Sequence, residues 1–180
     1  MAATLRLEIV TPQGPALRED VDELTAPSVA GEFGVLPGHL PILAALKTGI
    51  LTWKKKGELG ACAVAAGFIE VHDDRVNVLT DRFQAKGDVD PVRVRADLKD
   101  IDEKIDGFAG SPQSPEFHAL VEKELWCAAQ LELHGDPPPP TVNFTEGYGQ
   151  APDEAFQKEG DEHAPTLSDD GHDTKLGDAR

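Results

Sequence analysis

Aromatic, sulfur-bearing and basic side chains are all scarce in this sequence. The two cysteines, Cys62 and Cys127, form no Cys-x-x-Cys pair and are too few for a disulfide framework. Such a chain reads as one kept in a reducing compartment. No apolar run approaches the roughly 20 residues that span a bilayer. The first ten residues alternate apolar and polar, without the basic start and apolar run of a signal peptide. Lys and Arg number 17 against 33 Asp and Glu, a net charge of −16. Neutralising phosphates takes clustered cations, so nucleic acid is excluded as a partner. The same sign excludes binding to, or insertion into, an anionic lipid surface. The sequence holds no G-x-x-x-x-G-K-[ST], no G-x-S-x-G and no Cys–His pair close in sequence. No catalytic residue, metal or cofactor is therefore assigned, and the chain is not read as an enzyme.

The charge is unevenly spread. Residues 1–86 carry 11 acidic and 9 basic side chains, residues 87–134 carry 11 and 5, and residues 135–180 carry 11 and 3. The last segment also holds six of the 14 prolines, four of them in the run Pro137–Pro140. A segment with so little apolar surface cannot offset its ordering entropy and reads as a disordered tail, its proline run a stiff spacer.

The first segment reads as short strands. Leu5, Leu7 and Ile9 alternate with polar neighbours, and Thr11-Pro12-Gln13-Gly14 is a turn signal. Further strands fit residues 42–46, 50–54, 61–66, 68–72 and 75–80, with Asp73-Asp74 as a tight hairpin turn. In the second segment the period changes. Val94, Leu98, Ile101, Ile105 and Phe108 share one helical face, with Asp90 as cap, Pro91 in the first turn, and Gly107 and Gly110 at the end. Ser114-Pro115 starts a second helix whose expected apolar face is Phe117, Val121, Leu125 and Ala128. The fold class is therefore α+β: an N-terminal antiparallel β-sandwich (1–86), a C-terminal α-helical hairpin (89–134) and a disordered Pro-rich acidic tail (135–180).

Several stretches resemble one family. They are Leu7-Glu8-Ile9-Val10-Thr11-Pro12-Gln13-Gly14, the run from Ala26 to Pro41, Gly49-Ile50-Leu51, Gly67-Phe68-Ile69-Glu70-Val71 and Val76-Asn77-Val78-Leu79-Thr80-Asp81. Together with the order of sandwich and hairpin, they resemble the epsilon subunits of bacterial F-type ATP synthases over roughly residues 5–108. The resemblance implies a non-catalytic rotor subunit of the central stalk in a proton-translocating synthase. It would couple c-ring rotation to ATP synthesis and regulate ATP hydrolysis. The implied partners are the gamma subunit, the c-ring and, through the hairpin, the catalytic beta subunits. The implied location is the cytoplasmic face of the bacterial inner membrane, where the complex holds the chain as a peripheral subunit. On the c-ring side the resemblance places Gly31, Glu32, Phe33, Gly34 and His39. The two glycines suggest a loop tip that turns tightly and presents the Glu32 carboxylate.

Two departures from the family pattern bear on regulation. Some epsilon subunits bind ATP at the start of the first helix. Here Val89, Asp90 and Arg93 match, but Val94 replaces an alanine and Asp100 stands where a second arginine would fall. An aspartate there repels a triphosphate, so Asp90 reads first as a helix cap and Arg93 as a solvated cation. The second helix carries Lys123 against Glu116, Glu122, Glu124 and Glu132, a poor match to the acidic target met by basic residues in inhibitory members. The alternative reading is a metal- or ligand-binding β-barrel of cupin type using His39, His72, Glu32 and Glu70. It lacks the His-x-His spacing that points two imidazoles from one strand into a barrel.

Overall fold

The computed structural model describes residues 3–138. From residue 139 on, the expected tail lies outside the described residues. The strands are β1 (Leu5–Thr11), β2 (Gly14–Val21), β3 (Glu23–Ser28), β4 (Gly31–Val35), β5 (Ile42–Leu46), β6 (Gly49–Lys55), β7 (Glu58–Val64), β8 (Gly67–His72), β9 (Arg75–Thr80) and β10 (Phe83–Ala85). They pair in the order β10-β7-β6-β3-β5-β8-β9-β1-β2, with β4 added to β3. Strand β3 meets β5 through a single residue pair, Ser28 and Leu46. At that corner the path folds into two layers that share one apolar core.

Alternation explains which side chains fill the core. Leu5, Leu7 and Ile9 of β1, Ile69 and Val71 of β8, and Val76 and Val78 of β9 are all buried. Leu24, Leu51, Trp53, Cys62 and Val64 meet them from the opposite layer. Between the buried residues of β1, Arg6 and Glu8 reach across to Asp20 at 3.6 Å and Arg18 at 2.7 Å on β2. Those charges line an edge strand and discourage edge-to-edge association.

Two features of the sheet depart from the sequence expectation. Strands β2, β3, β4 and β10 were not anticipated. β2 is an edge strand with few apolar side chains, β10 has three residues, and β3–β4 contains prolines and glycines that read as loop. One pair is parallel rather than antiparallel, β1 with β9. The chain leaves the β1 layer through β2 and β3 and returns to it later, so β9 can arrive in either direction. The other expected strands and the turns at Pro12-Gln13 and Asp73-Asp74 occur where the pattern put them.

Helix α1 (Pro91–Asp106) buries Val94, Leu98 and Ile101, the expected face. Helix α2 (Pro115–His134) does not bury the expected one: Leu125 is exposed, and the buried residues are Glu124, Cys127, Ala129, Leu131 and Leu133. The reason is that α2 has two neighbours. Cys127 and Leu131 pack on α1, while Ala129, Leu133 and Trp126 pack on Ala63, Ile50 and Ala61 of the β6–β7 layer. Phe117 instead meets Phe108 across the inter-helix turn, ring centroids 5.2 Å apart. Arg82 lies over the Trp126 ring at 5.9 Å.

Gly135 and Asp136, which the sequence reading gave to the tail, close α2. Gly135 adopts φ +105°, and the Gly135 and Asp136 N–H groups donate to the carbonyls of Glu132 and Leu131 at 2.9 Å each. That pattern is a Schellman motif. Arg95 of α1 pairs with the Asp136 carboxylate. A chain ending at residue 138 should therefore melt like the full chain. One ending at residue 134 should lose about 1 kcal/mol and exchange its last α2 amides faster. Thermal melts and hydrogen exchange on the two truncations test this.

Candidate functional site

The hairpin β3–β4 carries the glycine-rich signature. Its tip is Val29-Ala30, where the Ser28 hydroxyl donates to the Gly31 carbonyl at 2.6 Å and accepts from the Ala30 N–H at 3.2 Å. Gly31 has φ +120°, a region that disfavours any side chain. Glu32 is exposed, but it is not at a loop tip as expected. It pairs with Pro27 inside β4. The strand register presents this carboxylate: Phe33 turns inward against the core, while Glu32 and Gly34 stay exposed. Gly34 has an ordinary φ, and a Cβ there would meet nothing nearer than 3.9 Å.

His39 lies elsewhere. Residues 31–35 run the length of β4, roughly 13 Å, before the chain enters the loop 36–41. Glu32 and His39 therefore sit at opposite ends of the strand. The His39 Nδ1–H donates to the Leu40 carbonyl at 2.7 Å, and its backbone N–H donates to the Leu36 carbonyl at 3.0 Å.

The two outer sheet faces differ. The face of β6 and β7 is covered by α2. The outer face of β5, β8, β9 and β1 is bare among the described residues, yet it carries large apolar side chains. Phe68 and Leu79 are each 55% exposed and Leu43 is 72% exposed. Register aligns Ala45, Phe68, Leu79 and Val10 in one row across the four strands. The row borders a concavity of about 620 Å³ lined also by Pro12 and Ala66. The signal for this face is present in the sequence, in the parity of two strands. In β8 and β9 the buried residues are Ile69, Val71, Val76, Val78 and Thr80, so Phe68 and Leu79 sit on the wrong parity for core residues.

A second concavity, about 530 Å³, lies where α1 begins. The Asp90 carboxylate accepts from the Val92 and Arg93 N–H groups at 3.1 and 3.2 Å, capping α1. Arg93 lies 3.9 Å from Asp97. The cations at this groove are Arg82, Arg93, Lys104 and Lys123; the acids are Asp88, Asp90, Asp97 and Asp100. A polyphosphate would find no excess of positive charge there. Nearby on α1, burial and then the Asp106 charge push the Asp102 carboxyl above its usual range, and one of its oxygens is buried without a hydrogen-bond partner.

Neither thiol is poised to react. Burial pushes Cys62 up to about 12. Cys127 is also raised, by burial first and then by the charge of Asp97. The cupin-type reading fails on geometry. The interior is packed with aliphatic side chains, Glu70 and His72 are exposed on β8, and no cluster among the described residues could hold a metal ion.

Residues 4–86 match the family described as ATP synthase, Delta/Epsilon chain, beta-sandwich domain. The chain is 41% identical over 128 residues to the ATP synthase epsilon chain of Geobacter metallireducens, covering 69% of this chain and 91% of that one. It is 38% identical over 135 residues to ATP synthase epsilon chain 2 of Syntrophotalea carbinolica, covering 75% and 96%. Among solved structures, a chain of the Euglena gracilis mitochondrial ATP synthase (OSCP/F1/c-ring, rotational state 1) has a similar fold. Its TM-score is 0.55 at 24% identity, covering 74% of this chain and 78% of that one. A chain of the Tetrahymena thermophila mitochondrial ATP synthase central stalk/c-ring gives 0.50 at 16% identity, covering 73% and 97%.

Proposed function

The chain belongs to the ATP synthase epsilon chain family, and from that premise we propose that it is a non-catalytic rotor subunit joining the central stalk to the c-ring. The observation that carries this reading is the bare apolar row, with Leu43 beside it, on the outer face of β5, β8, β9 and β1. A β-sandwich that covers one outer face with its own hairpin and leaves Leu43, Phe68 and Leu79 in water on the other is built to be covered by a partner. On this reading the gamma subunit takes that face. Glu32, held out by β4, meets the polar side of the c-ring, and torque passes through the packed core between them. The chemistry of ATP synthesis belongs to other subunits. Such a protein would sit at the cytoplasmic face of the inner membrane, held by its complex. Any contact of the hairpin with a catalytic beta subunit would present an acidic α2, with Glu116, Glu122 and Glu132 exposed. That favours the docked hairpin over an inhibitory one.

The purified chain should form a one-to-one complex with its cognate gamma subunit on gel filtration. Glu32→Lys should lower proton-driven ATP synthesis in membranes while shifting stability by no more than about 0.5 kcal/mol, as for other exposed substitutions. Unchanged synthesis would remove Glu32 from the interface. A collapsed melt would make it structural.

A further inference from the structure

The turn between β8 and β9 holds two consecutive non-glycine residues in the left-handed region, Asp73 at φ +50° and Asp74 at φ +57°. Turns of this kind favour asparagine and glycine, because a Cβ is sterically disfavoured there. Asp74 occupies the second position and makes two long-range bonds. Its carbonyl accepts the Arg6 N–H of β1 at 2.8 Å. Its carboxylate accepts the Gly38 N–H of the loop 36–41 at 2.6 Å. Gly38 is itself in the left-handed region, at φ +81°. One side chain thus ties the middle of a six-residue loop to the β8–β9 turn 36 residues away.

The loop it holds is exposed and partly apolar. Leu40 is 80% exposed and Leu36 58%, and the loop runs through Pro41 into β5, where Leu43 belongs to the bare face. An apolar loop tip in water gains nothing in the free chain, and a loop free to move would lose entropy when a partner immobilised it. We propose that Asp74 is a positioning residue, its carboxylate clamping Gly38 so that the loop bearing Leu36 and Leu40 is preorganised as an extension, through Leu43, of the apolar docking face. The partner is the one proposed for that face, the gamma subunit, so this inference rests on that docking reading.

Two substitutions separate the roles of Asp74. Asp74→Asn keeps an oxygen acceptor and tolerates the left-handed region. Asp74→Gly keeps the turn and removes the acceptor, and glycine suits φ +57°, so folding is not threatened. In the full chain, D74G should speed hydrogen exchange at the Gly38 amide by about tenfold or more, with D74N like wild type. Binding of the cognate gamma subunit, measured by surface-immobilised titration, should weaken about tenfold in D74G and in Leu40→Ala but not in D74N, with melts unchanged. If Leu40→Ala and the double variant Phe68→Glu, Leu79→Glu weaken binding while D74G does not, docking stands and the clamp is overturned. If the Phe68, Leu79 double variant also binds normally, the docking reading has failed and the proposal falls with it. D74N weakening as much as D74G would show that the acceptor oxygen is not what matters, which also overturns the proposal.

Discussion

Replacing Phe68 and Leu79 together by glutamate is expected to abolish the complex with the gamma subunit at micromolar concentrations while leaving the sandwich folded. Both side chains point away from the core, each 55% exposed, and adjoin across β8 and β9. Their removal therefore takes no core volume away. The folding cost should stay near the 1 kcal/mol span of strand propensity. Binding is another matter. Large apolar side chains at the centre of an interface each contribute on the order of 2 kcal/mol or more when truncated. Two buried, unpaired carboxylates add a further penalty. The affinity should fall by at least about 100-fold, corresponding to roughly 2.7 kcal/mol. Gel filtration of the mixed subunits beside a thermal melt of the variant decides it. A variant that still co-elutes with gamma would show that this face looks elsewhere.

Gly67→Ala is expected to be the most damaging single methyl addition in the sandwich. Gly67 opens β8 opposite Thr80. A Cβ there would overlap the Leu79 carbonyl oxygen and lie 2.9 Å from the Thr80 Cα. These are backbone atoms of the paired strand, so no side-chain rotation relieves the clash and β8 must separate from β9. Overpacking of this kind costs about 3 kcal/mol, the upper end of its usual range, and should lower Tm by roughly 10 °C. Gly34→Ala is the matched control, since its Cβ would find ordinary space at an ordinary φ. A G67A variant melting within 2 °C of wild type, a shift worth less than about 1 kcal/mol, would contradict the geometry.

The clearest parts of the fold in the sequence are β1 and α1, where one side of the element is buried, the other is wet and a single apolar stripe gives the period. β5 to β9 are legible as short apolar runs between turn residues. β2 escaped notice because an edge strand guarded by Arg18, Glu19 and Asp20 presents hardly any stripe. The expected α2 face failed for the opposite reason. The helix is wedged between α1 and the β6–β7 layer, so its buried residues fall on two faces and no one stripe stands out. The glycines around Glu32 correctly indicated an unusual backbone, at Gly31 alone, but gave no hint that the carboxylate would be held by a strand. That Glu32 and His39 lie apart could not be seen at all from seven positions of sequence, since it depends on β4 running straight. The apolar row was within reach, because Phe68 and Leu79 break the inside–outside order of their strands.

The parallel pairing of β1 with β9 also sets when the sandwich can close. Arg6 aligns with Arg75, roughly 70 residues later. At synthesis rates of about 5–20 residues per second, roughly 3 to 14 s separate the two strands. During that interval β1 has β2 as its strand partner, and an isolated two-stranded hairpin is marginally stable in water. Pairings this distant in sequence also slow folding once the chain is complete, because loop closure precedes the contacts that reward it. Leu5, Leu7 and Ile9, at the centre of the finished core, leave the ribosome well before the strand that buries them.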